Sequence, residues 1–378
     1  MARKPAEVFP PGEYIKDELD TRGWSQAEFA EILGRPARVV SEIINGKRAI
    51  SPETAKEIAA AFGSTPELWM NLESAYRLSR AKNDEGAVAR RAKLYQAAPI
   101  KEMVRRCWIQ GSDNVEVLEK QVLDFFGIKD LEEEPQFWSY APRMSAAYTT
   151  LTRTWLFRAR HLARTLGAKR FSPRGVKDAL DGLQGLLHEP EEVRHVPHVL
   201  SEAGIRFLVV EHLPHTRLDG ACFWLDPESP VVALSLRYDR VDWFWHTLMH
   251  ELGHVERRHG LEHGEPPVDV DLFGRRPSAS GSEKPEIERE ADAFAARTLI
   301  PPEELEAFIA RVGPLYSQQK IRRFAGQLRV HPGIVVGQLQ FRSQIDYSQH
   351  RRMLAPVREI ITQAALTDGW GHTVPALA

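Results

Sequence analysis

The sequence predicts a multidomain chain: an all-α N-terminal domain, then an α+β domain, then a helical C-terminal region. Three observations predict it. Residues 13 to about 80 carry short apolar runs at helical spacing, separated by caps and glycines. Residues 204–236 change to short runs rich in Val, Leu, Phe and Trp, which is the strand pattern. After that stretch comes His250-Glu251-Leu252-Gly253-His254 on a helical pattern, and the chain beyond residue 285 reads as helical again. Composition agrees: 43% hydrophobic and 27% charged residues are ordinary for globular domains, and 378 residues at ~150 per domain make two or three of them. Lys+Arg of 50 against Asp+Glu of 52 leaves a formal charge of -2, so any binding to nucleic acid must come from a local patch. The two cysteines, Cys107 and Cys222, lack a CxxC neighbour, which argues against cysteine-held zinc and a disulfide framework. No apolar run reaches the ~18 residues of a membrane span, and no apolar h-region follows the basic N-terminus. The expected location is the cytoplasm, with no membrane partner.

Each element has its signal. Pro11-Gly12 precede a first helix with Tyr14, Ile15 and Leu19 on one face, ending at Gly23. Ser25 with Glu28 is a capping-box pair opening a second helix, with Phe29, Ile32 and Leu33 inward and Gly34 as its stop. A third helix carries Val39, Val40, Ile43 and Ile44 and stops at Asn45-Gly46. Ser51-Pro52 and Thr65-Pro66 each read as an N-cap followed by proline at the first helical position. These helices make domain 1–76. Residues 77–200 read as a helical linker region; its basic start, 77–106, is either a solvated connector or a flank touching DNA phosphates. Strands are expected at 204–210, 221–225 and 231–236, in an antiparallel sheet within a domain spanning 201–302. Residues 261–285, rich in Gly, Pro and Ser, read as a surface loop. In the C-terminal region, 303–378, Phe324-Ala325, Leu328, Pro332, Val335-Val336 and Leu339 echo Phe29-Ala30, Leu33, Pro36, Val39-Val40 and Ile43, as a second, degenerate helix pair would.

The chemistry concentrates at 250–292. His250 and His254, four apart on a helix, face one side, so both imidazoles reach a single ion. Glu251 between them sits beside the ion's open position, where it serves as a base without being a ligand. The longer motif with a glycine and a third histidine fails: Arg257 and Gly260 occupy those places, and His259 is one position off. Glu288 is the better third ligand for Zn2+, with Asp292 one turn on to orient a ligand histidine. The alternative is that Glu288, Glu290 and Asp292 form a solvated helix face. Glu290 lies ~200° around the helix from Glu288, where a rim role is natural. His246 either packs and hydrogen-bonds near the site or binds metal; His212 and His215 are surface residues or border a cleft.

The run from Gly204-Ile205 through Asp219-Gly220-Ala221, Arg237 to His254, Glu288 to Ala295, Ile300-Pro301 and His331 to Gln340 resembles the ImmA/IrrE family of zinc metallopeptidases. The resemblance implies a zincin-like metallopeptidase domain, with His250, His254 and Glu288 on Zn2+, Glu251 as the base, and a repressor-type protein as substrate. Asp292 stands where many members have Asn, and His246 where Phe is expected. The N-terminus resembles the XRE-type helix-turn-helix of HigA-like antitoxins, through Pro11-Gly12-Glu13, Ser25 to Ala30, Val40 to Arg48 and Pro66 to Leu72. It implies a third helix in the major groove of operator DNA, with Arg35, Arg38, Ser41 and Asn45 on or near its exposed side. Lys47 and Arg48 then suit phosphates, and Gln26 reaches the backbone. XRE domains commonly pair, so a homodimer is expected. The alternative is a helical bundle that has lost DNA binding. Two functions follow. One is a DNA-binding zinc endopeptidase cutting a repressor or antitoxin-type protein, the substrate pairing with strand 231–236 or its neighbour, with His246, Tyr238 or His215 as oxyanion stabiliser. The other is an antitoxin-like repressor that binds DNA and a toxin, its zincin domain a sensor or a relic. The intact HExxH with a downstream glutamate favours the first.

Overall fold

Caps and close packing set the N-terminal unit. The computed structural model describes residues 8–81, 85–137, 148–261, 268–270 and 285–375, and the chain divides into two units, 1–86 and 87–378. The first unit holds α1 (Pro11–Arg22), α2 (Gln26–Ile32), α3 (Ala37–Ile44), α4 (Pro52–Phe62) and α5 (Pro66–Arg80). Gly23 ends α1 in the left-handed region. The Ser25–Glu28 capping box is complete, with the Ser25 amide donating to the Glu28 carboxylate at 2.7 Å. Ser51 caps α4 through the Thr54 amide; Thr65, expected to do the same for α5, makes no side-chain cap bond, and Pro66 opens that helix alone. Ile15, Leu19, Phe29, Val40, Ile43, Ile44, Phe62 and Trp69 form the core, with Phe29 and Phe62 stacked at 4.8 Å. Gly12 lies against the backbone of Ile44, where any side chain would collide with the Ile44 carbonyl. Tyr14 and Ile32, expected inward, are exposed. Tyr14 is ~100° off the Ile15–Leu19 stripe, and Ile32 lies ~200° from buried Ala30.

The second unit opens with α6 (Glu85–Ala97), α7 (Ile100–Arg105), α8 (Val115–Phe126), α9 (Thr150–Ala163), α10 (Pro173–Gln184) and α11 (Val196–Glu202). Strands β1 (Arg206–Val210), β2 (Leu218–Trp224) and β3 (Pro230–Leu234) lead to α12 (Val241–Glu256). Then come β4 (Val268–Val270), α13 (Glu286–Leu299), α14 (Pro302–Val312), α15 (Gln318–Leu328), α16 (Pro332–Phe341), α17 (Arg358–Ala364) and β5 (Leu366–Asp368). The five-stranded sheet has the order β4-β2-β3-β1-β5. It is mixed, not antiparallel as expected: β1 runs parallel to β3 and β5, while β2 runs antiparallel to β3 and β4. The parallel β1–β5 pair arises because the chain returns to the sheet through α12–α17, a long crossover of the kind parallel pairing requires. β3, proposed as a docking edge, is flanked on both sides, and the outer edge of β2 carries β4 at Leu218–Ala221, so β3 cannot take up a substrate strand.

Both sheet faces are buried, which explains the near-continuous apolar runs. Phe207, Val209, Trp224, Val232 and Leu234 face α12, α13 and α16; Leu208, Val210, Phe223, Val231 and Ala233 face α6–α9. Helices α6–α9 therefore form a layer on one sheet face, while Val176, Ala179 and Leu183 of α10 and Val196 and Leu200 of α11 join the cluster on the other. Trp155 of α9 donates from Nε1 to the Val210 carbonyl at 3.0 Å, and Phe125, Phe126 and Phe157 fill the layer. Arg158 and Asp368 form an ion pair at 2.6 Å with side chains only 2% and 3% exposed, and Trp108 donates to the same carboxylate at 2.8 Å. Within the stretch expected as a loop, β4 is a strand; 262–267 and 271–284 lie outside the described residues. The expected helix pair exists as α15–α16, but α16 is buried from Gly333 to Gln340, so its face serves the core. Among the described residues no helix is long and apolar enough to cross a membrane.

Candidate metal centre

Helix α12 is buried from Val241 to Val255, and His250, Glu251 and His254 are fully inaccessible. The i, i+4 spacing brings the two Nε2 atoms to 3.0 Å. Helix α13 crosses close because Ala291 and Ala295 are small, and both are wholly buried. It delivers Glu288, with Oε2 at 3.2 Å from His250 Nε2 and Oε1 at 3.7 Å from His254 Nε2. Asp292 places Oδ1 at 2.9 Å from His250 Nδ1. That partner favours the proton on Nδ1 and turns the Nε2 lone pair toward the other two donors. Glu290 points away and pairs with Arg257 at 2.9 Å on the rim.

The donor set fits zinc. Bonds of ~2.0–2.1 Å in a tetrahedron place ligand atoms ~3.3 Å apart, against the 3.0, 3.2 and 3.7 Å found here. Two imidazole nitrogens and one carboxylate leave a fourth position for water, the pattern of catalytic sites. Glu251 lies under β2: a methyl at Gly220 would strike Glu251 Oε1, so only glycine lets the strand cross the carboxylate. Next to it, Asp219 is held by Arg237 through two 2.9 Å bonds and accepts from Trp243 Nε1 at 3.3 Å, which seats β2 on the start of α12. Sequence reasoning gave Gly220 no role. The available signal was a glycine within an apolar strand, which marks close approach.

His246 is buried beside His250 and Asp292, with ligand-type atoms of all three within 4.8 Å. His212 is half-buried against Trp370, and desolvation lowers its pKa. His215 is exposed in the left-handed region, and Tyr238 packs on Trp243 at 4.2 Å. His259, set aside as a ligand, places Nδ1 at 2.8 Å from His254 Nδ1, behind that ring.

On the N-terminal unit, α3 buries Val40, Ile43 and Ile44 and turns Arg38, Ser41 and Asn45 outward at helical spacing. The Arg38 side chain is 89% exposed. Asn45 Nδ2 donates to the Ser41 carbonyl at 2.8 Å. Gln26 and Lys47 are exposed. Arg35 departs from expectation: its Nε and Nη2 both engage Glu57 of α4, a tie that fixes the turn and takes the guanidinium off the α3 face. Glu42 binds Arg38 at 3.0 Å and Arg48 at 2.9 Å, and the Arg48 bond, then the Arg38 bond, holds its carboxyl below the usual carboxylate range. Glu42→Gln is expected to tighten binding to a short random duplex several-fold at low salt. Fluorescence anisotropy across a salt series should show a slope steeper by about 1–2, from two freed guanidiniums. An unchanged slope would remove Arg38 and Arg48 from the DNA contact.

Fold and site together define a helix-turn-helix regulator that carries a peptidase-type domain. The chain belongs to the XRE-like helix-turn-helix proteins through residues 15–69, and its residues 202–335 match Peptidase_M78, the IrrE N-terminal-like domain. It is 35% identical over 72 residues to the uncharacterized HTH-type transcriptional regulator YddM of Escherichia coli, covering 19% of this chain and 77% of that protein. It is 38% identical over 82 residues to Antitoxin HigA-1 of Vibrio cholerae, covering 21% and 74%. The solved Pseudomonas aeruginosa antitoxin HigA with higBA promoter is 34% identical over 19% of this chain and 80% of that one, with a TM-score of 0.19.

Proposed function

We propose that this protein is a DNA-binding zinc endopeptidase that cuts a repressor- or antitoxin-type protein. The observation that carries the reading is the convergence of Glu288 from α13 on His250 and His254 of the buried helix α12, which also carries Glu251. His250, His254 and Glu288 would hold a zinc ion, which would supply Lewis-acid activation of a water and of a peptide carbonyl. Glu251 would serve as the base that takes a proton from the attacking water and returns it to the departing amine, and the buried wall around α12 limits competing solvent. The N-terminal unit binds an operator as a homodimer, with Arg38, Ser41 and Asn45 toward the bases and Lys47, Arg48 and Gln26 toward phosphates. Binding to DNA places the protein in the cytoplasm. A second reading is favoured by the likeness to Antitoxin HigA-1: a repressor that binds DNA and a toxin, its peptidase domain a sensor.

Mass spectrometry of candidate repressors and antitoxins incubated with zinc-loaded protein decides between them: new internal cleavage sites support the first reading, and intact partners in a stable complex the second. The metal site has its own test. Glu288→Gln should lower zinc affinity by ~10-fold or more, while Glu290→Gln, tied to Arg257, should bind normally. Metal analysis after dialysis against a weak chelator reads both. Loss in Glu290→Gln alone would shift the assignment by two residues.

A further inference from the structure

The two ligand histidines are supported differently. His250 has a carboxylate behind it, from Asp292. Behind His254 stands another histidine. Arg258 adopts the left-handed conformation with φ 55°, which breaks the helix phase and turns the chain back on α12. The His259 amide then donates to the His254 carbonyl at 2.9 Å, and the two Nδ1 atoms meet at 2.8 Å. Trp224, 1% exposed at the end of β2, donates from Nε1 to the His259 carbonyl at 3.0 Å. The Arg258 guanidinium lies 5.4 Å over the Trp224 ring and donates to the Pro227 carbonyl at 3.0 Å. The β2–β3 turn thus clamps residues 258 and 259 from the far side.

We propose, resting on the metal-centre reading above, that His259 is the positioning residue of His254: it accepts a hydrogen bond from His254 Nδ1–H and so fixes the ring with Nε2 toward zinc. The proton count demands this direction. A ligand imidazole that gives its Nε2 lone pair to a metal keeps its one proton on Nδ1. His259 Nδ1, 2.8 Å away, is then the acceptor, and its own proton sits on Nε2. A neutral imidazole raises ligand basicity less than a carboxylate does, so the two zinc histidines are unequal donors, with His250 the stronger.

The test uses the full chain and zinc alone. His259→Phe and His259→Ala should lose about 10- to 100-fold in zinc affinity by chelator competition. His259→Asn, whose Oδ1 can stand in for the Nδ1 acceptor, should recover most of it. Metal-free thermal unfolding should be alike in all three, and 15N NMR of the zinc-loaded wild type should show His254 protonated on Nδ1 and His259 bare there. Zinc binding by His259→Phe equal to wild type overturns the inference alone, and so does an equal loss in all three variants. A wild type that takes up no zinc overturns the metal-centre reading and this inference with it.

Discussion

Glu251→Gln is expected to keep its zinc and lose hydrolysis by about 10²–10⁴-fold, the usual contribution of a positioned general base. Glutamine preserves the shape beside Gly220, where there is no room for anything bulkier. It cannot take a proton from water at neutral pH. Glu251 is fully buried, and among the described residues it belongs to neither donor group, His250–His254–Glu288 or His246–His250–Asp292, so metal content should stay near one ion per chain by the same dialysis assay. A variant that still cuts at near wild-type rate would remove this motif from the reaction. One that loses zinc as well would make Glu251 a structural support of the ligands instead.

Asp368→Ala is expected to destabilise the second unit by about 3–5 kcal/mol, the range for breaking a buried ion pair from one side. Asp368 accepts from Arg158 at 2.6 Å and from Trp108 at 2.8 Å, and Arg158 is 2% exposed. Removing the carboxylate leaves a desolvated guanidinium and an indole N–H that have lost this acceptor. Replacing both members together, as Arg158→Met with Asp368→Leu, should cost much less, because no charge is stranded. Urea unfolding of the single and double variants measures the difference. A single variant within 1 kcal/mol of wild type would mean that water reaches the Arg158 side chain.

The legible parts of this chain are those governed by local spacing. His250, Glu251 and His254 lie within one helical turn, and the ~200° between Glu288 and Glu290 separates a residue facing the histidines from one facing Arg257. The capping box at Ser25 needs only four residues to declare itself. What stayed hidden depends on partners far along the chain. β4 and β5 are three residues each and acquire strand geometry only from β2 and β1. α9 carries Arg158 and Arg160 and so reads as partly solvated, yet both are buried, Arg158 on Asp368 and Arg160 on the carbonyls of Gln136 and Phe137. Arg35 looked like a groove residue because Glu57, its partner, is on another helix. His259 is out of phase with α12, and nothing in the spacing shows that Arg258 folds it back.

The position of β5 has a consequence in time. Leu366–Asp368 pair with Leu208–Val210, far earlier in the chain, so the sheet edge and the Arg158 pair close only when the ribosome has delivered residue 368. The N-terminal unit, with its own core, is complete by residue 86. At ~5–20 residues per second, the intervening synthesis lasts roughly 15–60 s. During that interval a nascent copy presents a finished helix-turn-helix unit and an unfinished peptidase-type domain. In the reading proposed above, each new molecule can therefore occupy its operator before it can cut anything, an ordering of the two activities written into the chain's direction of synthesis.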